Sequence, residues 1–420
     1  MLKIILSTDQ TALKRLLKRR QVRLDQAEAT VTPIIEAVRK RGDRALREYA
    51  RKFDGLEGPS LRVPAVDLDR AREALPPDLR KAIETASRQI RRFAELQKPH
   101  SWTKSTGGVK LGQIVRPLAS VAAYVPGGRY PLPSTLMMTV IPAQVAGVPT
   151  VSVASPKPTS ATLGTAGQIG VSNFFHMGGA QAIAAFAFGT ESVPRAERIV
   201  GPGNIYVAAA KKLLAGTVGI DFLAGPTEIL LIAPTGATKK DARALAADML
   251  AQAEHDVDAS AVLLTTSKRL GEWVAAEVAK QLETLTTRSV AAKAIDRNSA
   301  VIVVSSANDA MDIANRFAPE HLSVPDPSWL DKVENAGGVF VGGWSPEAAG
   351  DYASGPNHVL PTGGAATLRG GLSVLDYVKI ISVQQLSEKG LRKLAPAITT
   401  LARAEGLEAH ARSIEVRLDD

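Results

Sequence analysis

Between Tyr130 and Thr190 the chain carries a single residue among Asp, Glu, Lys and Arg, namely Lys157. This block constrains the fold more than any other stretch. Five prolines from Pro131 to Pro156, with several glycines among them, prevent it from forming a membrane helix. A segment so poor in charge has to be buried on several sides, in the interior of a lobe or against another subunit. It reads as the start of a second lobe inserted into a first.

The surrounding pattern gives that lobe a class. Short β-rich runs at Val121–Val125, Val148–Val153, Glu228–Ile232, Ala261–Thr265, Ala300–Val304 and Gly338–Val341 alternate with Ala-rich helical stretches. Such alternation predicts an α/β fold with largely parallel sheets, and 420 residues are enough for two or three lobes. The first hundred residues read as helical. Thr32 caps a helix over Pro33–Arg41 that stops near Gly42, and Pro76-Pro77 separates a short helix, Leu68–Leu75, from a long one, Asp78–Gln97. Ser7 with Gln10 reads as a capping box opening a basic helix with Leu13, Leu16 and Leu17 on one face. The tail after Asp376 reads as a helical arm ending in Ala402–Ala411. The expected division is an N-terminal helical arm (1–26), a first α/β lobe (27–122 with 229–375), an inserted α/β lobe (123–228) and a C-terminal arm (376–420).

Charge and composition remove several functions. The net charge of +9 admits nucleic acid or an anionic cofactor as partner. The basic runs Lys14–Arg23, Arg39–Arg51 and Arg88–Arg92 are not interleaved with aromatics, which make up only 5% of residues, so they read as solvated helix faces. No nucleic-acid partner is expected. No run of about 18 apolar residues occurs, and Met1–Ile5 is too short for a signal peptide's apolar core, so a cytoplasmic protein without a membrane span is expected. There is no cysteine. Disulfides, thiolate zinc sites, iron–sulfur clusters and cysteine nucleophiles are thereby excluded.

Of the six histidines, four sit near a carboxylate in turn-like or helix-end strings: Gln252-Ala-Glu-His255, Pro319-Glu-His321, Asp351-Tyr-Ala-Ser-Gly-Pro-Asn-His358 and Glu405-Gly-Leu-Glu-Ala-His410. Four such pairings favour a metal or acid–base site. In the first, Thr238 and Asp241 start a helix running to about Glu254, and Gln252 and His255 can aim at one spot near its end. Either hydrogen bonds to a neighbouring lobe or a metal would satisfy them; His, Asp and Gln donors suit zinc or a harder divalent ion. Pro319 stops the helix Asp309–Phe317 and places Glu320 and His321 on a loop, at the ligand-binding edge of an open sheet. There the two could divide water-holding and proton transfer. Gly201-Pro-Gly-Asn204 opens a helix over Ile205–Leu214 but lacks the third glycine of the dinucleotide fingerprint. Tyr124-Val-Pro-Gly-Gly128 and Gly178-Gly-Ala-Gln181 are tight turns open to a binding role.

Together these strings resemble the histidinol dehydrogenase family. The likeness runs from about Arg23 to Arg417 and includes Ala224-Gly-Pro-Thr-Glu, Ala318-Pro-Glu-His-Leu and Gly350-Asp-Tyr-Ala-Ser-Gly-Pro-Asn-His-Val-Leu-Pro-Thr. It implies two Rossmann-like lobes without the usual fingerprint, and oxidation of L-histidinol to L-histidine through the aldehyde with NAD and one zinc ion per subunit. By resemblance, Gln252, His255, Asp351 and His410 are the zinc ligands, most of them on the first lobe. Glu320 and His321 are the acid–base pair. Substrate contacts fall to Thr227, His358 and Glu405 together with Gln252, His255, His321, Asp351 and His410. NAD contacts fall to Tyr124, Gln181 and Asn204 on the inserted lobe. Thr227 stands where many relatives carry Ser. The resemblance further implies a homodimer whose C-terminal arm completes the partner's site. A dehydrogenase of another polar alcohol is the alternative enzyme, and a basic nucleic-acid-binding module the remote one.

Overall fold

The apolar runs Ser120–Tyr124 and Glu228–Ile232 each lie inside a six-stranded sheet in the computed structural model, which describes residues 2–18, 24–127 and 130–419. The first sheet runs Arg62–Val63, Asn173–His176, Thr150–Ser155, Ser120–Tyr124, Arg198–Val200, Gly219–Ile220. All of its pairings are parallel except the one made by Arg62–Val63. The second runs Lys3–Leu6, Ala300–Val303, Ser260–Thr265, Glu228–Ile232, His321–Val324, Gly338–Val341 and is parallel throughout. In both, the chain winds outward from the central strand to one side and then returns to wind to the other. Each sheet is therefore doubly wound, as the alternation predicts.

Burial follows from that winding. In Glu228–Ile232, Ile229 and Leu231 pack into the core under helices Lys239–Ala253 and Lys268–Leu282, while Leu230 and Ile232 pack on the opposite face with helix Ala307–Phe317. A strand covered on both faces has no solvent side, which is why this one reads as an unbroken apolar run. The charge-poor block behaves as expected: helices Pro133–Ala146 and Gly179–Phe188 are buried along almost their whole length.

Several elements differ from the sequence expectation. Residues Lys3–Leu6 form an edge strand paired to Ala300–Val303, so the N-terminus joins the second sheet before its helix Gln10–Lys18 begins. Asp9 caps that helix through Ala12 N–H, while the Ser7 hydroxyl donates to Asp309. Leu13 and Leu16 are core; the rest of the basic run, Arg19–Arg23, lies outside the described residues. The helix expected over Pro33–Arg41 spans Asp25–Tyr49. Its buried stripe of Ala27, Val31, Ile35 and Val38 rests on helices Gly179–Phe188 and Ile205–Leu214, and that packing outweighs the bond lost at Pro33. Thr32 bonds back to Glu28 O rather than capping. Gly42, at φ +49°, kinks the helix instead of ending it, and Glu191 receives the Asp43 N–H there. This helix belongs with the first sheet, as do Ala65–Glu73 and Pro77–Gln97, which pack on Ser160–Gln168 and Pro133–Ala146. Charged amphipathic helices carry no mark in the sequence of which sheet they cover.

The chain separates into two compact units, Met1–Gln97 with Ala119–Tyr377, and Lys98–Leu118 with Val378–Asp420. The second unit is an antiparallel sheet of Val378–Leu386, Val109–Pro117 and Trp102–Thr106, together with helices Glu388–Ala404 and Glu408–Glu415. Its strand Val378–Leu386 stands where a helix was expected, because the nine-residue pairing with Val109–Pro117 decides its conformation. Among the described residues no helix is long and apolar enough to cross a membrane.

Helix Lys239–Ala253 opens as expected with a capping box: Asp241 N–H reaches the Thr238 hydroxyl and the Asp241 carboxylate receives Thr238 N–H. Thr238→Ala is expected to lower unfolding stability by about 1 kcal/mol, read as a shift in the urea midpoint at unchanged slope.

Candidate active site

The in-register parallel pairing of Ile229 with His321 places the residues just before these two side by side. Thr227 and Glu228 on one thus face Glu320 on the other. Sequence reasoning put Glu320 and His321 on a loop at the usual ligand-binding edge; instead His321 is the first residue of a strand, both are buried, and both lie at the N-terminal edge of the second sheet. The usual rule concerns the carboxyl ends of strands. Here it applies to the first sheet: Leu132, Ser134, Thr135 and Pro202, which follow its strands Ser120–Tyr124 and Arg198–Val200, close the other side of the same cavity. That cavity, about 180 Å³, is lined by Thr227, His255, Glu320, His321, Glu347, Asp351 and His358 among others.

His321 is set up as a base. Its Nδ1 lies 3.1 Å from the Glu228 carbonyl oxygen, which can only accept, so Nδ1 carries the proton. Nε2 is left with a lone pair, buried and without a hydrogen-bond partner among the described residues. Burial pulls the imidazole pKa down to about 4, against the opposing pull of Asp351, so the ring is neutral at pH 7. His358 is also neutralised by burial, but both its nitrogens are engaged, Nδ1 on Asp351 O at 2.8 Å and Nε2 on the Thr135 hydroxyl at 3.2 Å.

Glu320 accepts from the Thr227 hydroxyl at 2.6 Å and from Glu228 N–H at 2.9 Å, yet burial holds its pKa well above the ordinary carboxylate value. The Thr227 hydroxyl also meets the Gln252 amide at 2.6 Å, and the amide's other end faces Glu347. A hydroxyl has one proton. If Thr227 donates to Glu320, the amide nitrogen points at Thr227 and its oxygen at Glu347; if the amide is turned, Thr227 donates to it and Glu320, keeping the Glu228 N–H, faces the Thr227 oxygen without a hydroxyl proton between them. In either arrangement one of the two carboxyls has to hold a proton. Burial and the neighbouring Asp351 and Glu320 charges raise Glu347 as well.

Of the four expected metal ligands, His255 and Asp351 line the cavity, and Gln252, fully buried, reaches its wall through Thr227. His410 and Glu405 belong to the second unit, where both are exposed, His410 on helix Glu408–Glu415 and Glu405 at the end of Glu388–Ala404. Among the described residues no group of three or more His, Asp or Glu could by itself hold a metal ion. The donor chemistry nevertheless suits a cation, since the described lining offers three carboxylates and three imidazoles and no Lys or Arg. The set is compatible with zinc.

The three expected cofactor contacts line another cavity, of about 410 Å³, at the carboxyl edge of the first sheet where its winding reverses. Asn204 caps helix Ile205–Leu214 through Tyr206 and Val207 N–H. The preceding turn is pinned by a buried ion pair: Lys211 Nζ bonds Gly201 O and Asp221, whose other oxygen receives Gly201 N–H at 2.7 Å. Gly201, at φ +107°, packs directly under the Tyr124 carbonyl, where a side chain has no room. Gln181 is fixed by Asp54, which accepts from Gln181 Nε2 at 3.0 Å and from Gly178 N–H at 2.9 Å. Gly128 of the Tyr124 string lies outside the described residues.

Glu228, Glu347 and Asp54 were not singled out from sequence. Glu228 stood in view as the charged head of an apolar run, whereas Glu347 and Asp54 have no nearby histidine or motif to mark them.

Two doubly wound sheets, with an acid–base cavity where they meet and a second cavity at the switch point of the first, define a protein of the doubly wound α/β class. The comparisons with known proteins are more specific. The family model for histidinol dehydrogenase matches residues 17–418. A histidinol dehydrogenase of Thermus thermophilus is 50% identical over 93% of this chain and 94% of its own, and that of Aquifex aeolicus is 44% identical over 97% and 96%. The crystal structure of histidinol dehydrogenase from Elizabethkingia anophelis superposes with a TM-score of 0.94 at 36% identity, covering 99% of this chain and 98% of that one. The chain belongs to the histidinol dehydrogenase family.

Asp248, on helix Lys239–Ala253, adds its charge behind Glu347, and burial raises its own pKa to about 6. Because the folded-state value lies above the unfolded one, Asp248 weakens the fold progressively as pH rises from about 4 through about 6. Asp248→Asn should therefore stabilise the protein at pH 7, by about 1 kcal/mol after allowing for partial solvent access, and leave it unchanged at pH 4, measured by urea unfolding at both values.

Proposed function

We propose that this chain oxidises L-histidinol to L-histidine through the aldehyde, in the cytoplasm, using two equivalents of NAD⁺. The observation that carries the reading is His321 Nε2: a buried, neutral ring nitrogen, unpartnered among the described residues, on a cavity lined by carboxyl groups and imidazoles. Gln252, His255 and Asp351 would hold zinc, with His410 of the partner subunit in a homodimer as the fourth ligand. Bound zinc would orient a substrate bearing an amine and an imidazole, and bound NAD⁺ would accept hydride.

The protein's own groups supply the proton chemistry. His321 Nε2 takes the alcohol proton as the C–H bond breaks, and the Glu228 carbonyl supports the imidazolium that forms. The second oxidation needs a hydrated aldehyde, because without cysteine no thiohemiacetal can form. Glu320 would hold or deprotonate that water, its carboxyl aimed by the Thr227 hydroxyl and the Glu228 N–H. Thr227, His358 and Glu405 would contact the substrate. Tyr124, Gln181 and Asn204 would contact the dinucleotide.

Alcohol and aldehyde, fed separately to the variants, test these roles. Glu320→Gln should slow the aldehyde step at least about tenfold more than the alcohol step, whereas His321→Asn should slow both by roughly a hundredfold or more. Equal losses in Glu320→Gln would remove the water-activating role. Histidinol-dependent NADH formation should stop with a chelator and return on addition of Zn²⁺; turnover indifferent to chelation would count against the metal assignment.

A further inference from the structure

Lys157 is the one charged residue in the stretch from Tyr130 to Thr190, and its backbone is strained. At φ +46° it is one of two non-glycine residues in the left-handed region among the described residues. A lysine gains nothing locally from that conformation, which costs it steric energy that glycine would avoid. Outliers of this kind are held in place by the structure around them and cluster at active sites and ligand clamps. The Lys157 side chain is exposed, crosses Gly55, and borders the cavity that also takes Tyr124, Gln181 and Asn204. It is the only Lys or Arg among the described lining residues and makes no hydrogen bond or ion pair among them, although Asp54 lies near enough to feel its charge.

The usual receptors for phosphate at such an edge are helix N-termini. Here both are already met in part by the protein's own oxygens. Gly178 N–H goes to Asp54 and Gly179 N–H to the Tyr124 hydroxyl at 3.2 Å; Tyr206 and Val207 N–H go to Asn204. Among the described residues, an anionic ligand in this cavity thus finds two partly occupied helix ends and one ammonium without a hydrogen bond or ion pair. We infer that Lys157 binds a phosphate of the nicotinamide dinucleotide, taking the electrostatic role that a glycine-rich helix end plays elsewhere. This inference rests on the assignment of the cavity to the cofactor.

Calorimetric titration of the full-length protein tests it with NAD⁺, ADP-ribose and adenosine. Lys157→Met should weaken NAD⁺ and ADP-ribose roughly tenfold, flatten the dependence of their affinity on salt, and leave adenosine unaffected. Lys157→Gly, which suits the left-handed backbone, should show the same loss and so separate charge from strain. Unchanged NAD⁺ and ADP-ribose affinities in both variants, with weakened NAD⁺ binding in Gln181→Leu, would overturn the role of Lys157 alone. If Gln181→Leu also bound NAD⁺ normally, the cofactor assignment of the cavity would fall with it. An equal loss for adenosine would show that the effect is not on phosphate.

Discussion

The parallel pairing of Glu228–Ile232 with His321–Val324 is the constraint on which the site depends. It sets the Glu228 carbonyl against His321 Nδ1 and the Glu228 N–H against Glu320, so one backbone unit fixes the tautomer of the base and aims the neighbouring carboxyl. Main-chain hydrogen bonds in a buried parallel sheet are about as rigid as a protein offers. A slip of one residue would send both side chains to the other face. The same burial that locks this geometry makes the imidazole neutral, the state that can take a proton from an alcohol, and raises the Glu320 carboxyl, so that its carboxylate is a stronger base toward water than an ordinary glutamate.

Around that pairing, the two sheets are used from opposite ends. The first presents its carboxyl edge, where the winding reverses, and the second its amino edge; the acid–base cavity lies where they meet. Buried polar contacts hold the turns between them. Lys211 and Asp221 tie down the Gly201 turn, Asp54 ties Gln181 and Gly178 to the end of the first long helix, and Asp376 bonds Arg198 and Arg369. Each is a pair or cluster in which one missing partner would leave a charge or donor stranded in a dry place. Such contacts fix where a turn sits more than they stabilise the fold.

Glu228, Glu347 and Asp54 show what kind of functional residue escapes sequence reading. Their importance comes from partners far away along the chain: Asp54 acts on residues at 178 and 181, and Glu228 on 320, 321 and 363. Histidines next to carboxylates or glycines in a turn are local patterns. A buried carboxyl satisfied across more than ninety residues is not.

The sequence by itself determined the alternation that makes two doubly wound sheets, the burial of the charge-poor block, the capping box at Thr238 and the family membership carried by its ordered motifs. These rest on interactions within a few residues, or on strings specific enough to be read directly. Tertiary structure decided the rest. It turned Lys3–Leu6 and Val378–Leu386 into strands, carried a helix through Pro33, assigned the early helices to the first sheet and moved His321 from a loop to a strand end. In each case the deciding energy is pairing or packing with a distant segment, and local propensity is too weak to oppose it.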